Sequence, residues 1–209
     1  MIIKVCGMRD PDNIRAVEAL GIDWMGFIFW SGSSRYVSRR PAYLPEKTKK
    51  VGVFVDASID EVLQHTTDYH LDIIQLHGGE NAAYIRRLKQ EYGEGLVVMK
   101  AISVRNAGDV AAYKAYEDFV DYFLFDNKCQ TVGGSGQQFD WSVLDAYEGQ
   151  RPFLLSGGIG PDSADSIRAF HHPRLAGIDL NSRFERTPAI KDISKLKQFL
   201  YEQNQQALF

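Results

Sequence analysis

The sequence predicts an α/β fold, a (β/α)8 barrel of the TIM type, built as a single domain over residues 1–209. Three observations carry that prediction. Short apolar runs alternate with helix-like segments from end to end. There are eight such runs. Several of them lack the in–out alternation of a half-exposed strand, as in Val51-Gly52-Val53-Phe54-Val55 and Asp121-Tyr122-Phe123-Leu124-Phe125. Strands of a parallel sheet covered by helices are buried on both faces and read this way.

The runs are Ile2–Cys6, Trp24–Phe29, Val51–Val55, Asp72–Leu76, Leu96–Ile102, Asp121–Phe125, Pro152–Leu155 and Ala176–Leu180. Helix signals fall between them. Asp10-Pro11 opens a helix with Ile14, Val17 and Leu20 at helical spacing, and Gly21 stops it. Ser58 with Glu61 three residues on is a capping-box pattern. Pro161-Asp162 opens a helix carrying Ile167 and Phe170, and the last helix carries Ile193, Leu196, Phe199 and Leu200 on one face. Each βα unit takes roughly 26 residues, which fits a closed barrel. An open doubly wound sheet is the alternative. A final helix after the eighth strand, with no G-x-G-x-x-G after the first, weighs against it. The long irregular stretch Asn127–Asp140 contains Gly133-Gly134-Ser135-Gly136. A loop of that length in a compact domain often serves function.

Bulk properties narrow the partners. Hydrophobic residues make 44% of the chain and charged residues 24%, which is globular composition. A net charge of -3 argues against a broad nucleic-acid surface, yet leaves room for a local phosphate site built from backbone N–H groups. The longest apolar stretch, Trp24–Trp30, is too short to span a bilayer, and Met1–Met8 has no signal-peptide pattern. The two cysteines, Cys6 and Cys129, form neither a metal spacing nor a disulfide framework, so a reducing, cytoplasmic setting is expected. No cofactor and no metal are expected. The expected partner is a small phosphorylated substrate rather than nucleic acid or membrane, for a chain acting as monomer or homodimer.

In a barrel the active face lies at the C-terminal ends of the strands. The reactive side chains there are Cys6, Asp56, Gln75, His77, Lys100, Asp126, Ser156 and Asp179. Position alone leaves each with two readings. Cys6 is a nucleophile or base if its thiol ionises, or a small core residue. Asp126 is a general acid against an apolar wall, or a turn residue beside Asn127. Arg35, in Ser33-Ser34-Arg35-Tyr36, is a bidentate carboxylate clamp or a solvated loop arginine. Gly157-Gly158 and Asn181-Ser182 follow the last two strands, where barrels commonly seat a phosphate. His77-Gly78-Gly79-Glu80 has no second histidine at ligand spacing, and no Ser/His/Asp set or Walker loop is present.

Taken in order, these segments resemble the phosphoribosylanthranilate isomerase family. The resemblance rests on Lys4-Val5-Cys6-Gly7, Gly26-Phe27-Ile28-Phe29, Ser34-Arg35-Tyr36-Val37 and Val51-Gly52-Val53-Phe54. It continues through Gln75-Leu76-His77-Gly78, Phe125-Asp126, Gly133-Gly134-Ser135-Gly136 and Phe139-Asp140-Trp141. It ends on Ser156-Gly157-Gly158-Ile159, Asp179-Leu180-Asn181-Ser182 and Lys191-Asp192. The resemblance implies an Amadori rearrangement of an aminoaldose phosphate to an aminoketose phosphate in tryptophan biosynthesis. By it, Asp126 is the general acid, Cys6 the general base and Arg35 the ligand of the anthranilate carboxylate. Gln75, His77 and Asp179 are expected to bind substrate, and Gly157, Gly158, Asn181, Ser182 and Arg183 to hold its phosphate.

The sequence departs from the family pattern at Arg183, where glycine is common, at Phe184, where valine is common, and at Ser34, where proline is common. The acid–base pair also sets a demand. Asp126 must be protonated while Cys6 is ionised, the reverse of their intrinsic order, so the surroundings are expected to shift both or a minor protonation state must react. Two alternatives stay open at this point: another phosphate-binding barrel sugar isomerase, whose aminoaldose relative pairs two aspartates, and a barrel that binds a phosphorylated ligand without catalysis.

Overall fold

The computed structural model describes residues 1–127 and 140–204. Eight parallel strands close into a barrel in sequence order: β1 Ile2–Val5, β2 Trp24–Ile28, β3 Lys49–Phe54, β4 Ile73–Leu76, β5 Val97–Val104, β6 Tyr122–Asn127, β7 Phe153–Leu155 and β8 Leu175–Leu180. All eight expected runs are strands. The seam is the β1–β8 pairing, from Ile2 opposite Gly177 to Val5 opposite Leu180.

Register sorts the side chains into two sets, because alternate residues face opposite sides of a strand. Trp24, Val51, Ile73, Met99, Ala101, Leu124 and Leu154 form one buried cluster, which fills the barrel interior. The larger cluster, with Phe27, Phe54, Phe123, Phe125 and Phe153, takes the other parity and packs against the surrounding helices. Lys4, Gln75, Asp126 and Asp179 have interior parity, since Lys4 pairs with Trp24 and Asp179, and Gln75 with Met99. Apolar layers therefore plug the barrel below, and polar side chains occupy its C-terminal mouth.

The helices follow local signals. Helix α1, Pro11–Glu18, begins where Asp10 accepts from Asn13 N, and Gly21 takes a φ of 75° beyond it. Helix α2, Ile59–Tyr69, starts where Ser58 Oγ accepts from Glu61 N at 3.2 Å. Helix α3 is Ala82–Tyr92, α4 is the single turn Ala107–Val110, α5 is Ala164–Ala169 and α6 is Ile193–Asn204.

Three expectations need correction. The barrel is not eight even βα units, because residues 29–48 between β2 and β3 hold no α-helix. Pro41 and Pro45 break helical hydrogen bonding there. Glu18 of α1 pins that segment instead, accepting from Glu46 N at 2.8 Å, Lys47 N at 2.7 Å and the Tyr43 hydroxyl. Pro161 opens a 3-10 turn, Pro161–Ser163, before α5, and Phe170 lies past the end of α5 in extended geometry. Cys129 and Gly133-Gly134-Ser135-Gly136 lie outside the described residues. Among the described residues, no helix is long and apolar enough to cross a membrane.

Candidate active site

Cys6 is the first residue beyond β1, and its N–H donates to Leu180 O at 2.9 Å, which ties it to the end of β8. The thiol packs on Gly26 of β2, where an added Cβ would stand 2.6 Å from Sγ. Glycine at that point makes room for sulfur. Gly7 follows with a φ of 77°, and the Arg35 side chain lies across it, so that a Cβ there would meet Arg35 Cδ at 2.6 Å. The first turn of the barrel thus brings Cys6 and Arg35 together by omitting two side chains.

Below Cys6 lies Lys4, fully buried at 0% exposure. Its Nζ donates to Asp179 Oδ1 at 2.9 Å and also interacts electrostatically with the Cys6 thiol. Burial alone would push this ammonium down, but Asp179 and Cys6 outweigh it and hold Lys4 above its ordinary value. Burial pushes the Cys6 thiol up, and Lys4 opposes that without cancelling it. The resting thiol is therefore protonated at neutral pH. The environment shifts Cys6 away from the thiolate that the family resemblance requires.

The second half of the mouth is built on β4 and β6. Asp126 Oδ1 accepts from Asn127 N at 2.9 Å, and its Oδ2 lies 3.4 Å from His77 Nε2. His77 is anchored through its N–H to Phe54 O at 2.8 Å, and its Nδ1 sits 3.3 Å from Gln75 Nε2. If Gln75 donates to Nδ1, the proton of neutral His77 resides on Nε2 and points at Asp126. Gln75 Oε1 is buried with no hydrogen-bond partner among the described residues. Asp179 joins the halves, since it interacts electrostatically with Lys4, Asp126 and His77, and Ser156 Oγ lies 3.5 Å from its Oδ2.

The residues that the sequence nominates for phosphate fall on adjacent strand ends. Gly157 and Gly158 follow β7 with φ of 83° and 76°. A Cβ at Gly157 would stand 2.6 Å from Asn127 N and 3.0 Å from Asp126 Oδ1, so this turn runs directly beside the candidate acid. Asn181 precedes the 3-10 turn Ser182–Phe184, which follows β8. Arg183 reaches toward the β7–α5 connection, with its Nη2 3.5 Å from Asp162 Oδ1 and its Nε beside Gly160.

Some candidates have other work. Lys100 faces out of the barrel and is buried in an ion pair with Glu80 at 2.9 Å, also donating to Gly78 O at 2.7 Å. Asp56 sits in a turn with a φ of 52° and accepts from Gly79 N at 2.6 Å. Both brace the loop that carries His77. Sequence reasoning missed the role of Lys4 beside Cys6, although a lysine of interior parity two residues before the cysteine was a usable signal. It also missed Glu185. Arg35 is not solvated: its Nε and Nη2 donate to the Glu185 carboxylate at 2.9 and 2.6 Å. Among the described residues, no group of three or more His, Cys, Asp or Glu could hold a metal ion.

Comparison with known proteins shows the family. The profile of the family described as N-(5'phosphoribosyl)anthranilate (PRA) isomerase matches residues 3–202. The N-(5'-phosphoribosyl)anthranilate isomerase of Parabacteroides distasonis is 50% identical over 208 residues, covering 97% of this chain and 93% of that protein. Its counterpart from Phocaeicola vulgatus is 49% identical over 205 residues, covering 98% of each. The crystal structure of phosphoribosyl anthranilate isomerase from Thermotoga maritima superposes with a TM-score of 0.82 at 30% identity, over 97% of this chain and 98% of that one. A structure of such an isomerase with reduced 1-(o-carboxyphenylamino)-1-deoxyribulose 5-phosphate gives a TM-score of 0.79 at 28% identity, over the same shares. This chain belongs to the N-(5'-phosphoribosyl)anthranilate isomerase family.

Proposed function

We propose that this isomerase of tryptophan biosynthesis works by general acid–base catalysis, with Asp126 as acid and Cys6 as base. The substrate, N-(5'-phosphoribosyl)anthranilate, is an aminoaldose. Asp126 gives a proton to the furanose ring oxygen as the C1–O bond breaks, and the anthranilate nitrogen supplies the electron pair that forms a protonated Schiff base. The iminium acidifies the neighbouring C–H. Cys6 removes the C2 proton, and the electron pair moves to neutralise the iminium, leaving an enolamine. Cys6 then gives its proton to C1 and Asp126, by now a carboxylate, takes up the enol proton, which yields 1-(2-carboxyphenylamino)-1-deoxyribulose 5-phosphate. Both side chains are back in their starting states, so two of them suffice.

The observation that carries this reading is the placement of Cys6 and Asp126 at the mouth, joined through Lys4, Asp179 and His77. Lys4 supplies the positive charge that a thiolate needs at the moment of proton transfer. Arg35 would bind the anthranilate carboxylate, Gln75, His77 and Asp179 the sugar, and Gly157, Gly158, Asn181, Ser182 and Arg183 the phosphate.

The test is turnover of freshly generated phosphoribosylanthranilate, followed by loss of its fluorescence. Cys6→Ala and Asp126→Asn are each expected to lower kcat by at least about 100-fold, the usual worth of a positioned acid or base. Near-normal kcat in either variant would overturn that residue's role. Because burial holds the thiol up, kcat/KM should rise with pH above neutrality as the thiolate fraction grows. A flat profile would argue against Cys6 as the base.

A further inference from the structure

Glu185 and Lys191 stand opposite each other in a short hairpin after β8, formed by β9, Glu185–Thr187, and β10, Ile190–Lys191. Lys191 N donates to Asn13 Oδ1 at 2.7 Å, which ties the hairpin to α1. Glu185 Oε1 accepts from Arg35 Nε at 2.9 Å, Lys191 Nζ at 2.8 Å and Ala189 N at 3.0 Å. Its Oε2 accepts from Arg35 Nη2 at 2.6 Å and Nε at 3.1 Å. Lys191 Nζ also donates to Asn181 Oδ1 at 2.7 Å and Asn181 O at 3.3 Å. The side chains of Lys191, Glu185 and Arg35 are 0%, 5% and 10% exposed. Arg35 and Lys191 hold the Glu185 carboxyl below its ordinary value against burial, so Glu185 is ionised.

The geometry of the guanidinium gives this network a direction. Arginine offers two edges to a carboxylate: a side edge from Nε and one terminal nitrogen, and an end edge from both terminal nitrogens. Glu185 takes the side edge. Nη1 has no partner among the described residues, so the end edge is left for another acceptor. The charges agree with that. Burial pulls Lys191 down, whereas Glu185 holds the Arg35 guanidinium charged against burial, so the open end edge belongs to a cation that a single carboxylate would suit.

We propose that Glu185, braced by Lys191, is a positioning residue that fixes Arg35 by its side edge so that the end edge receives the carboxylate of the substrate. This rests on the reading of Arg35 given above. It separates from a purely structural role for Glu185, in which the ion pair would merely fasten the hairpin to the β2 loop. Arg35 touches substrate in this scheme, and Glu185 acts through it.

The experiment measures binding of two ligands to the whole protein by calorimetry: the reduced product analogue, and the same compound with phenylamino in place of carboxyphenylamino. Arg35→Ala is expected to weaken the first about 100-fold and the second less than about threefold, as loss of charge-assisted hydrogen bonds would. Glu185→Gln, which keeps the shape, should weaken the first about tenfold and leave the second within about twofold. It should raise KM with kcat little changed, because the carboxylate is held alike before and during reaction. Glu185→Gln added to Arg35→Ala should cost nothing further, and Glu185→Asp should recover part of the lost affinity. Equal weakening of both ligands by Glu185→Gln would show a structural role and overturn the proposal. So would a gain in affinity for the carboxylated ligand, which would mean that Glu185 competes with it. No discrimination between the ligands by Arg35→Ala would instead sink the reading of Arg35 itself.

Discussion

Lys4→Met keeps the length of the side chain and deletes its charge. The position is fully buried, and the ammonium lies 2.9 Å from Asp179 Oδ1, whose side chain is only 7% exposed. Burial already holds the Asp179 carboxyl above its ordinary value despite Lys4, so the variant leaves a group that must stay charged without a counter-ion or take up a proton, and breaking one side of a buried pair costs about 3–5 kcal/mol. Domains of ordinary stability hold about 5–15 kcal/mol, so the protein should still fold, with a large part of its margin lost. In urea titrations the midpoint should fall by roughly 1–2 M at a slope near that of the parent. Adding Asp179→Asn removes the stranded charge and should recover a substantial part of the loss. The same variant reports on the thiol. Lys4 pulls Cys6 down against burial, so without it the thiol should rise further and alkylate more slowly at fixed pH, measured in a Cys129→Ser background. A Lys4→Met variant within about 1 kcal/mol of the parent, or a double variant no more stable than the single, would refute the ion-pair argument. Unchanged alkylation rates would refute the coupling to Cys6.

Two further outcomes follow from packing and from burial. Gly26→Ala puts a methyl 2.6 Å from Cys6 Sγ and 3.1 Å from Cys6 Cα, so the thiol must turn or β1 must move. The expected cost is about 1–3 kcal/mol of stability, with kcat down at least tenfold and KM near normal; parental kcat would show that the thiol's placement is not critical. His65 stacks on Phe29 with ring centroids 4.2 Å apart, and burial holds its imidazole below the ordinary value of 6.5. As pH falls through 6.5, the unfolded chain takes up the proton first, so stability present above that pH is lost below it. His65→Phe should therefore gain in thermal midpoint relative to the parent between about pH 7.5 and 5.5, the range around the histidine pKa. A constant difference across that range would exclude His65 as the source.

Local physics made the scaffold legible in the sequence. Burial on both faces leaves its mark within each run, so all eight strands were readable, and Asp10 and Ser58 announced the starts of α1 and α2 through short-range capping. The period of two along a strand sets Lys4 on the face of Cys6, a signal that the sequence reading did not use. What the sequence left open was contact across distance. Lys4 meets Asp179 at a separation of 175 residues, and Arg35 meets Glu185 at 150. Neither pairing has a local signature, since closure of the barrel and the β9–β10 hairpin make both.

Cys6 shows the division most directly. Its residue type, its glycine neighbour and the ordered motifs were enough to nominate it as a base. The direction of its ionisation was not in the sequence, because that direction is a contest between desolvation and nearby charge. Both depend on distances and burial that exist only once β1, β2 and β8 are packed together. The sequence by itself determined a barrel with a thiol and a carboxyl at its mouth. The tertiary structure decided that the thiol rests protonated above a buried lysine, and that the arginine is already held by a carboxylate of its own.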